Sequence, residues 1–326
     1  MVRRMGSMWR CPACARRFAN RNQTHACGRY DLREHYEGRS PDVVETFERF
    51  RDEVLRCGPS AVLPERTRIA FQTRMSFAAV TLRKRWLDGH VVLAKRLCSK
   101  RFLDVQTFSP RNVVHAFRLA GPEDVDDEVS SWIAQAYLVG LQRHLPHRDP
   151  ARIRSRRLDL VTIVPEAMVA MRRGDFDGAG RALRHPVPRD WRGMSWEWFH
   201  HRLREYADDP SGLSWSARAL VRRGRWPAIV GNAGFHGAPD DAGVAEIGYE
   251  VIPEERRKGY ASEAAEALMT WAGREHGVRR FRASVGPWNK PSLALVRALG
   301  FKRVGVQIDD VDGKELVFEL EQPMDF

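Results

Sequence analysis

The sequence predicts a two-domain protein in which an α+β N-terminal domain precedes an α/β C-terminal domain. The chain has 326 residues, more than one ordinary hydrophobic core serves. In its first half, short runs rich in aromatic and β-branched residues lie between two helical segments. In its second half, strand-like runs alternate with amphipathic helices around a basic turn that contains a glycine. Cysteine and histidine residues near the start predict a further, metal-bound element.

This first element is defined by Cys11-Pro-Ala-Cys14 and by His25-Ala-Cys27 further along. Three thiolates and one imidazole are the ligands that tetrahedral Zn²⁺ takes in structural sites. Because so short a segment has almost no apolar core, metal ligation can supply its folding energy. We therefore predict that residues 1–30 form a zinc-binding element with Cys11, Cys14, His25 and Cys27 as ligands. The alternative is a reduced tail without metal.

Residues 31–146 are predicted to form the α+β domain as a helix, an antiparallel sheet and a second helix. Ser40-Pro41 is typical of a helix start, and Gly58-Pro59 of a helix end. Five strand-like runs follow, at 67–73, 75–83, 91–97, 102–108 and 113–119, with Asp88-Gly89 read as one of the turns between them. Gly121-Pro122-Glu123-Asp124 then opens the second helix. With its zinc element, this stretch resembles an uncharacterised bacterial family that has no assigned activity.

The charge of the chain is uneven. Of its net charge of +12, most lies in residues 1–150, where 26 Lys and Arg face 17 Asp and Glu. The basic residues between Glu65 and Arg101 are interleaved with Phe77, Trp86 and Phe102. Basic and aromatic side chains on a sheet can bind single-stranded nucleic acid, although a solvated basic surface is the more common meaning of such a pattern.

The sequence favours a cytoplasmic protein without a membrane span. Its apolar runs are far shorter than the roughly 20 residues that cross a bilayer, and Met1–Arg10 lacks the apolar core of a secretory signal. Cys57 and Cys98 are isolated, which is not the pattern of a disulfide framework.

Residues 147–157 read as a linker, and residues 158–326 as the second domain. Strands are predicted at 158–164, 216–222, 228–235, 244–252 and 280–285, with a closing hairpin at 302–308 and 315–320 turned at Asp312-Gly313. Helices are predicted at 165–173, from Ser195 to Tyr206, after the basic turn at Arg256–Ala261, and from Asn289 to Gly300.

The basic turn is where the sequence is most specific about chemistry. Apolar residues of the strand 244–252 precede it, and an amphipathic helix follows directly. A glycine lets the backbone approach a ligand closely, and the first N–H groups of a helix have no partner within the helix. Together with the helix dipole, these features predict a cradle for a pyrophosphate.

Three motifs in this region resemble the GNAT superfamily of N-acetyltransferases. Arg256-Arg257-Lys258-Gly259-Tyr260-Ala261 resembles the acetyl-CoA loop of that family, and Ile247-Gly248-Tyr249 before it resembles the fourth strand. Asn289-Lys290-Pro291-Ser292, followed by Leu299-Gly300-Phe301, resembles a helix motif further along. These motif sequences are most similar to those of the branch that contains ribosomal-protein N-terminal acetyltransferases.

The resemblance implies a set of acetyl-CoA-binding residues. It places the pyrophosphate on Arg256, Arg257, Lys258, Gly259, Tyr260 and Ala261, and the pantetheine on the main chain of Val251 and Ile252 and on the side chain of Asn289. In many GNAT enzymes a tyrosine protonates the departing thiolate, but Val296 stands at that position here. Ser292 is the substitute acid that the resemblance suggests, or alternatively a contact to the cofactor.

Glu246 is the candidate general base. By its alternation along the strand it shares a face with Gly248 and Glu250, and its setting resembles that of a strand-four glutamate in histone-acetylating GNAT enzymes. An amine with a pKa of about 10 is protonated at neutral pH, so a carboxylate must accept its proton. A salt bridge or recognition of a cationic substrate are alternative roles. The acceptor pocket is expected between the first two helices and the sheet, near Trp191, Trp196, Trp198, Phe199, His200 and His201.

The function predicted from these features is acetyl-CoA-dependent transfer of an acetyl group to a primary amine through a ternary complex. The amine is a protein N-terminus or a small molecule such as a polyamine or an aminoglycoside. Two alternatives stay open. One is a nucleic-acid-binding or regulatory protein whose GNAT domain senses acetyl-CoA, and the other is an interaction protein with a degenerate acetyltransferase fold.

Overall fold

The computed structural model describes residues 8–19, 21, 25, 27–28, 30–147, 149–189, 191, 196–309 and 313–322. The chain divides into two compact units. The N-terminal unit comprises Met1–Arg148, Met168–Asp175 and Trp196–Ser211, and the C-terminal unit comprises Asp149–Ala167, Phe176–Ser195 and Gly212–Phe326. Among the described residues, no helix has the length and the apolar character that a membrane crossing requires.

The N-terminal unit begins with a hairpin of β1 (Trp9–Arg10) and β2 (Arg17–Phe18), followed by a sheet that is antiparallel throughout. The strands of that sheet are β3 (Ala61–Pro64), β4 (Ile69–Gln72), β5 (Ser76–Leu82), β6 (Leu87–Leu93), β7 (Phe102–Ser109) and β8 (Asn112–Leu119), in the order β3-β4-β5-β6-β8-β7. Helices α1 (Pro41–Cys57) and α2 (Asp127–Gly140) bury their apolar sides with it. The predicted α+β fold is confirmed.

The predicted turn at Asp88-Gly89 is wrong, because both residues lie inside β6. Glycine serves packing here, since a Cβ on Gly89 would lie 2.6 Å from the ring of Phe117 on the neighbouring strand. The second helix also begins later than expected, because Pro122–Asp124 forms a separate 3₁₀ turn and the side chain of Asp126 caps α2 by accepting from the Val129 N–H.

The aromatic residues of the basic segment do not form an exposed stacking surface. Phe77 is fully buried in the core, and the ring of Phe102 packs 4.3 Å from that of Trp132. Trp86 lies under the guanidinium of Arg118, 4.5 Å from its carbon. The aromatic rings of this segment therefore mostly serve packing, although basic residues stand beside them in the sequence.

The C-terminal unit contains a sheet in the order β15-β16-β14-β13-β12-β11-β10-β9. Its strands are β9 (Ile153–Arg154), β10 (Leu158–Thr162), β11 (Arg218–Arg222), β12 (Ala228–Phe235), β13 (Val244–Val251), β14 (Arg280–Val285), β15 (Lys302–Asp309) and β16 (Gly313–Glu321). The pair β13 and β14 is parallel, and the other pairs are antiparallel. The expected linker at 147–157 includes β9, which pairs with β10 and so forms an edge of this sheet. Asp312, expected in the final turn, lies outside the described residues.

The helices after β10 are α3 (Pro165–Arg172), α4 (Phe176–Leu183), α5 (Trp196–Asp208), α6 (Tyr260–His276) and α7 (Lys290–Ala298). Helix α4 was not expected from the sequence, and Ser195, the expected start of α5, is outside the described residues. Helix α6 covers the apolar face of the sheet: Ala264, Leu268 and Ala272 are completely buried in a core that includes Leu220 of β11 and Phe281 of β14. This packing fixes the start of α6 against the end of β13.

Candidate functional site

The sheet of the C-terminal unit opens between β13 and β14. The two strands pair only at Val244–Arg280, Ala245–Phe281 and Glu246–Arg282, although β13 continues to Val251 and β14 to Val285. Beyond Glu246, the edge of β13 that faces β14 keeps main-chain groups that no neighbouring strand takes up. Such groups require another partner, which makes this opening a candidate binding cleft.

The register of β13 against β12 decides which residues offer those groups. Ile252 donates its N–H to the Val230 carbonyl at 3.0 Å, and the Glu246 carbonyl accepts from the His236 N–H at 2.9 Å. Since hydrogen-bonding direction alternates along a strand, Tyr249 and Val251 turn their main-chain groups toward the opening. The N–H groups of Tyr249 and Val251 are therefore open on this side, whereas the Val251 carbonyl accepts from Arg256 and the Ile252 N–H is already engaged.

The turn before α6 has the backbone conformation of an anion cradle. Arg257 and Gly259 adopt positive φ angles of 61° and 79°. The first intrahelical bond runs from the Glu263 N–H to the Gly259 carbonyl at 3.2 Å, so the N–H groups of Tyr260 and Ala261 have no partner within the helix. Alternating helical and left-handed residues direct successive N–H groups into one concavity, where the helix dipole adds positive charge.

The three basic residues of the turn have different surroundings. Arg256 donates from Nε to the Val251 carbonyl at 2.9 Å and so ties the turn to the end of β13. Lys258 pairs with Glu255 at 2.8 Å. Arg257 has neither an ion pair nor a hydrogen bond from its side chain within the described ranges, and it is exposed. Of these side chains, Arg257 is the one whose whole guanidinium is open to a phosphate, whereas Arg256 already uses its Nε.

Arg157 and Glu263 hold the turn through hydrogen bonds. Arg157 donates to the Lys258 carbonyl at 2.9 Å and to the Glu263 carboxylate at 2.6 Å, and its guanidinium lies 4.7 Å from the centre of the Tyr260 ring. Burial acts to raise the pKa of Glu263, but hydrogen bonds from Ser155 and Arg157 outweigh it and lower that pKa. The ring of Tyr260 is buried in the core, so only its main chain can serve a ligand.

Asn289 and Ser292 lie at the start of α7. The Asn289 side chain caps the helix by accepting from the Ser292 N–H at 3.2 Å, which is a structural role for a residue expected to contact pantetheine. Ser292 itself is half-buried. Val296, at the position of the family's tyrosine, is buried in the core and carries no acid.

Tyr249 is a residue whose role the sequence did not reveal. Its hydroxyl oxygen is buried, and it has no hydrogen-bond partner in the part of the chain that the structure describes. Burial raises the pKa of Tyr249, and the nearby Ser292 hydroxyl lowers it in part. A buried donor without a partner costs about 1–3 kcal/mol, so such a group calls for a functional explanation. The Ile-Gly-Tyr motif contained this residue, but only the fold shows that its hydroxyl lies near Ser292.

Glu246 lies on the face of the sheet opposite to α6. Its carboxylate is 3.9 Å from Nδ1 of His236, and its side chain is 24% exposed, so water and a small amine can reach it. Between Glu246 and the exposed Glu250 lies Gly248, where a Cβ would come within 2.8 Å of the His236 ring. The carboxylate of Glu246 and the imidazole of His236 therefore lie next to a position, Gly248, that has no side chain.

The aromatic residues expected around the acceptor fall into two groups. Trp191 and Phe199 are buried, and Trp198 packs edge-on against Phe199 with 5.2 Å between ring centres. The side chain of Trp196 is outside what the structure describes. His200 lies 3.2 Å from Arg204, and burial lowers the pKa of His200, while His201 is exposed and 3.5 Å from Glu205.

In the N-terminal unit, the structure brings Cys11, Cys14, His25 and Cys27 together. Their ligand atoms all lie within 4.8 Å of one another. Cys14 Sγ is 3.1 Å and Cys27 Sγ 3.3 Å from His25 Nε2, and the ring of His25 stacks on Phe18 with 4.3 Å between centres. A backbone hydrogen bond from Cys14 lowers the pKa of the Cys11 thiol to about 6. The turn of the β1–β2 hairpin supplies two donors, Cys11 and Cys14, and the chain after the hairpin supplies His25 and Cys27.

Two family models match separate parts of the chain. Residues 157–302 match the family model of the acetyltransferase (GNAT) domain, and residues 32–140 match a domain of unknown function, DUF5655. The uncharacterized N-acetyltransferase YoaA of Bacillus subtilis (strain 168) is 34% identical over 95 residues, which are 29% of this chain and 51% of that protein. The uncharacterized N-acetyltransferase YjdG of the same organism is 42% identical over 73 residues, 22% of this chain and 44% of that protein.

The chain spans about half the length of these curated relatives. Among solved structures, an acetyltransferase (GNAT family) from Bacillus anthracis is 21% identical with a TM-score of 0.36, and it covers 52% of this chain and 98% of its own. The ribosomal-protein-S5-alanine acetyltransferase from Vibrio fischeri is 16% identical with a TM-score of 0.38, covering 52% and 96%.

The predicted resemblance is confirmed by the family model, which spans the opened sheet, the turn and α6. The C-terminal part of the chain is a GNAT acetyltransferase domain, and it follows a DUF5655 domain.

Proposed function

We propose that the protein is an acetyl-CoA-dependent N-acetyltransferase that moves an acetyl group to a primary amine by direct transfer in a ternary complex. The observation that carries this proposal is the loss of pairing between β13 and β14 after Glu246, directly before a left-handed turn at a helix N-terminus. An extended ligand with an anionic end fits such a site, because strand-like main-chain groups and phosphate-binding N–H groups follow one another along the chain.

The residues present fit acetyl-CoA. The N–H groups of Gly259, Tyr260 and Ala261, together with the side chain of Arg257, would hold the pyrophosphate. The main chain of Tyr249 and the N–H of Val251 would pair with the pantetheine arm in the manner of an added strand. When bound there, acetyl-CoA supplies a thioester carbonyl for the amine to attack.

Glu246 is proposed to accept the proton of the acceptor ammonium, directly or through water. It is reachable from solvent, and it lies at the last paired residue of β13, where the strands begin to part. An N–H of the β13 edge, which is fixed by the sheet, can then stabilise the negative charge that develops on the thioester oxygen. Direct transfer is favoured because residues 149–326 contain no cysteine that could carry the acetyl group.

Ser292 is proposed to deliver a proton to the departing sulfur, with Tyr249 beside it. A tyrosine phenol, with an ordinary pKa of about 10, is closer in acidity to a thiol than an aliphatic hydroxyl is. Tyr249 is protonated at neutral pH, so it can replace the proton that Ser292 gives up, and it takes up a proton from water before the next turnover.

We also propose that Cys11, Cys14, His25 and Cys27 bind one structural Zn²⁺. Ligands about 2.0–2.3 Å from a tetrahedral metal lie about 3.5–3.8 Å apart, and the separations of 3.1, 3.3 and 4.0 Å in the cluster are close to this. All four positions are filled by protein, which suits a structural rather than a catalytic metal.

The experiment that tests the proposed function measures acetyl-CoA binding by calorimetry and acetyl transfer against a panel of amines. The Glu246→Gln variant keeps the shape of the side chain but removes the base. We expect its rate of transfer to fall by about 10²-fold or more with acetyl-CoA affinity intact.

Glu250→Gln is the matched control, because Glu250 lies on the same face of β13 but is exposed. An equal rate for wild type and Glu246→Gln across the pH profile would exclude Glu246 as the base. Absence of acetyl-CoA binding to the wild-type protein would overturn the proposed function altogether.

A further inference from the structure

Two helical segments that follow β10 in the chain belong to the N-terminal unit. Met168–Asp175 contains most of α3, and Trp196–Ser211 contains α5. In the sequence both lie within the stretch that matches the GNAT family model. The N-terminal unit is therefore a DUF5655 domain together with two pieces of the acetyltransferase domain, and this raises the question of what holds them there.

Arg74 of the N-terminal domain caps the C-terminal end of α5. Only 1% of Arg74 is exposed, and its Nη1 donates to the Ala207 carbonyl at 2.8 Å and to the Asp208 carbonyl at 3.4 Å. Nε donates to Gln142 at 3.1 Å, and the side chain of Asp208 pairs with Arg17 of the β1–β2 hairpin at 2.7 Å. The last carbonyls of a helix have no partner within the helix, and a cation placed there also interacts favourably with the helix dipole.

The same arrangement recurs in the opposite direction at the end of α1. Arg172 of α3, which is 5% exposed, donates to the Leu55 carbonyl at 2.9 Å and to the Arg56 carbonyl at 3.1 Å. Arg173 lies 3.6 Å from the carboxylate of Glu53. The DUF5655 domain thus provides Arg74 to the end of α5, and α3 provides Arg172 to the end of α1.

Apolar packing joins these polar contacts. Leu203 of α5 is completely buried, and a Cβ added to Gly58 would lie only 2.9 Å from its Cδ1 atom. Tyr206 of α5 is also buried, with the guanidinium of Arg143 5.6 Å from its ring centre. A seam with buried leucine, buried tyrosine and close-packed glycine has the character of a domain interior.

The buried guanidinium groups of Arg74 and Arg172 oppose separation of α3 and α5 from the DUF5655 domain. Burial lowers the pKa of both Arg74 and Arg172, which reflects the cost of removing a cation from water. The helix carbonyls that accept from these guanidinium groups offset part of that cost, because an isolated buried charge is strongly unfavourable. Separation of the segments would leave two helix ends and two cations without these partners.

We propose that the DUF5655 domain is the folding partner of α3 and α5, and that through them it determines how the enzyme binds its amine acceptor. The second clause rests on the proposed function, since the GNAT resemblance assigns the acceptor to these helices. The first clause stands on the contacts alone. Arg74 and Arg172 are positioning residues in this proposal.

The test uses the full chain and measures hydrogen exchange of the α5 amides in the variant Arg74→Met. Arg83→Met is the control, because Arg83 is an exposed arginine of the same unit that pairs with Asp88. We expect the α5 amides to exchange about tenfold faster or more in Arg74→Met, the order expected from the loss of a charged hydrogen bond. Arg83→Met should leave them unchanged.

The second measurement separates acceptor binding from cofactor binding. In Arg74→Met, the KM for the amine should rise about tenfold, while the acetyl-CoA dissociation constant stays within about twofold of wild type. Equal loss of both would contradict a role directed at the acceptor. If Arg74→Met does not fold, Arg172→Met tests the other contact, with faster exchange expected at the end of α1, residues 53–57, where Arg172 donates to two carbonyls.

Unchanged exchange of α5 in a folded Arg74→Met protein, or of residues 53–57 in a folded Arg172→Met protein, would overturn the proposal. This readout does not require activity, so it distinguishes the two proposals. A protein that fails to bind acetyl-CoA but shows the expected faster exchange in these variants would contradict the proposed function and leave the partnership of domain and helices supported.

Discussion

The Cys/His cluster and the turn before α6 are two candidate binding sites that offer different kinds of atoms. The cluster offers side-chain atoms from four residues within one short stretch, all within 4.8 Å of one another. The turn and the adjoining edge of β13 offer mainly main-chain groups, which exist in every residue and become available only where the sheet opens. Side-chain sites are therefore sensitive to the loss of a donor, whereas main-chain sites are sensitive to anything that blocks the approach of the ligand.

The largest effect is expected for Gly259→Glu. The φ angle of 79° disfavours any side chain there, a Cβ would lie 3.3 Å from the Arg157 guanidinium, and the new carboxylate would repel a phosphate. Calorimetry should show acetyl-CoA affinity reduced by about 10²-fold or more, since a close approach and a charge interaction are lost together. Gly243→Ala is the control, because Gly243 has a φ of 75° and open space around it. Equal acetyl-CoA affinity in both variants would place the phosphate elsewhere.

The next effect concerns the cluster. Cys14→Ser removes one of the four donors. The zinc content measured by elemental analysis should therefore fall from about one zinc per chain to near zero. Cys98→Ser, which changes an isolated and exposed cysteine, should keep the metal. Acetyl-CoA affinity should be unchanged in both variants, because the cradle uses none of these residues. Full zinc content in Cys14→Ser would contradict the proposed ligand set.

A smaller effect is expected for Tyr249→Phe. If the phenol only fills space, loss of a buried hydroxyl without a partner should leave stability unchanged or raise it slightly. If it serves Ser292, the rate of acetyl transfer should fall by about tenfold although stability is unchanged or higher. Urea unfolding and single-turnover kinetics on the same variant separate these outcomes. A rate equal to that of wild type would remove Tyr249 from the mechanism.

The smallest effect compares two neighbouring cations in the turn. Arg257→Ala removes the side chain without an internal partner, and Lys258→Ala removes one that is already paired with Glu255. We expect about a tenfold loss of acetyl-CoA affinity for Arg257→Ala and about twofold or less for Lys258→Ala. The difference should shrink at high salt because exposed charges are screened. A larger effect for Lys258→Ala would show that Lys258 leaves Glu255 and pairs with the phosphate when acetyl-CoA binds.

Local patterns in the sequence were sufficient for most of the fold. Helix α1 begins at Pro41 and ends before Gly58 as capping rules require, and β12, β13 and β14 fall within one residue of their predicted bounds. Short elements were missed, such as the four-residue β3 and the eight-residue α4, because a single short run gives no clear period. Gly89 was misassigned because a glycine required by a neighbouring ring cannot be distinguished from a turn glycine without the partner strand.

The sequence by itself determined the two domain types, and it predicted the zinc ligands and the position of an anion cradle as hypotheses, since each depends on residue types at fixed local spacing. Only the tertiary structure decided which main-chain groups of β13 face the opening, that Asn289 is used as a helix cap, and that the Tyr249 hydroxyl is buried near Ser292. It also decided that α5 belongs with the N-terminal unit. These facts depend on register and on packing between residues far apart in the chain, and no local pattern records such distances.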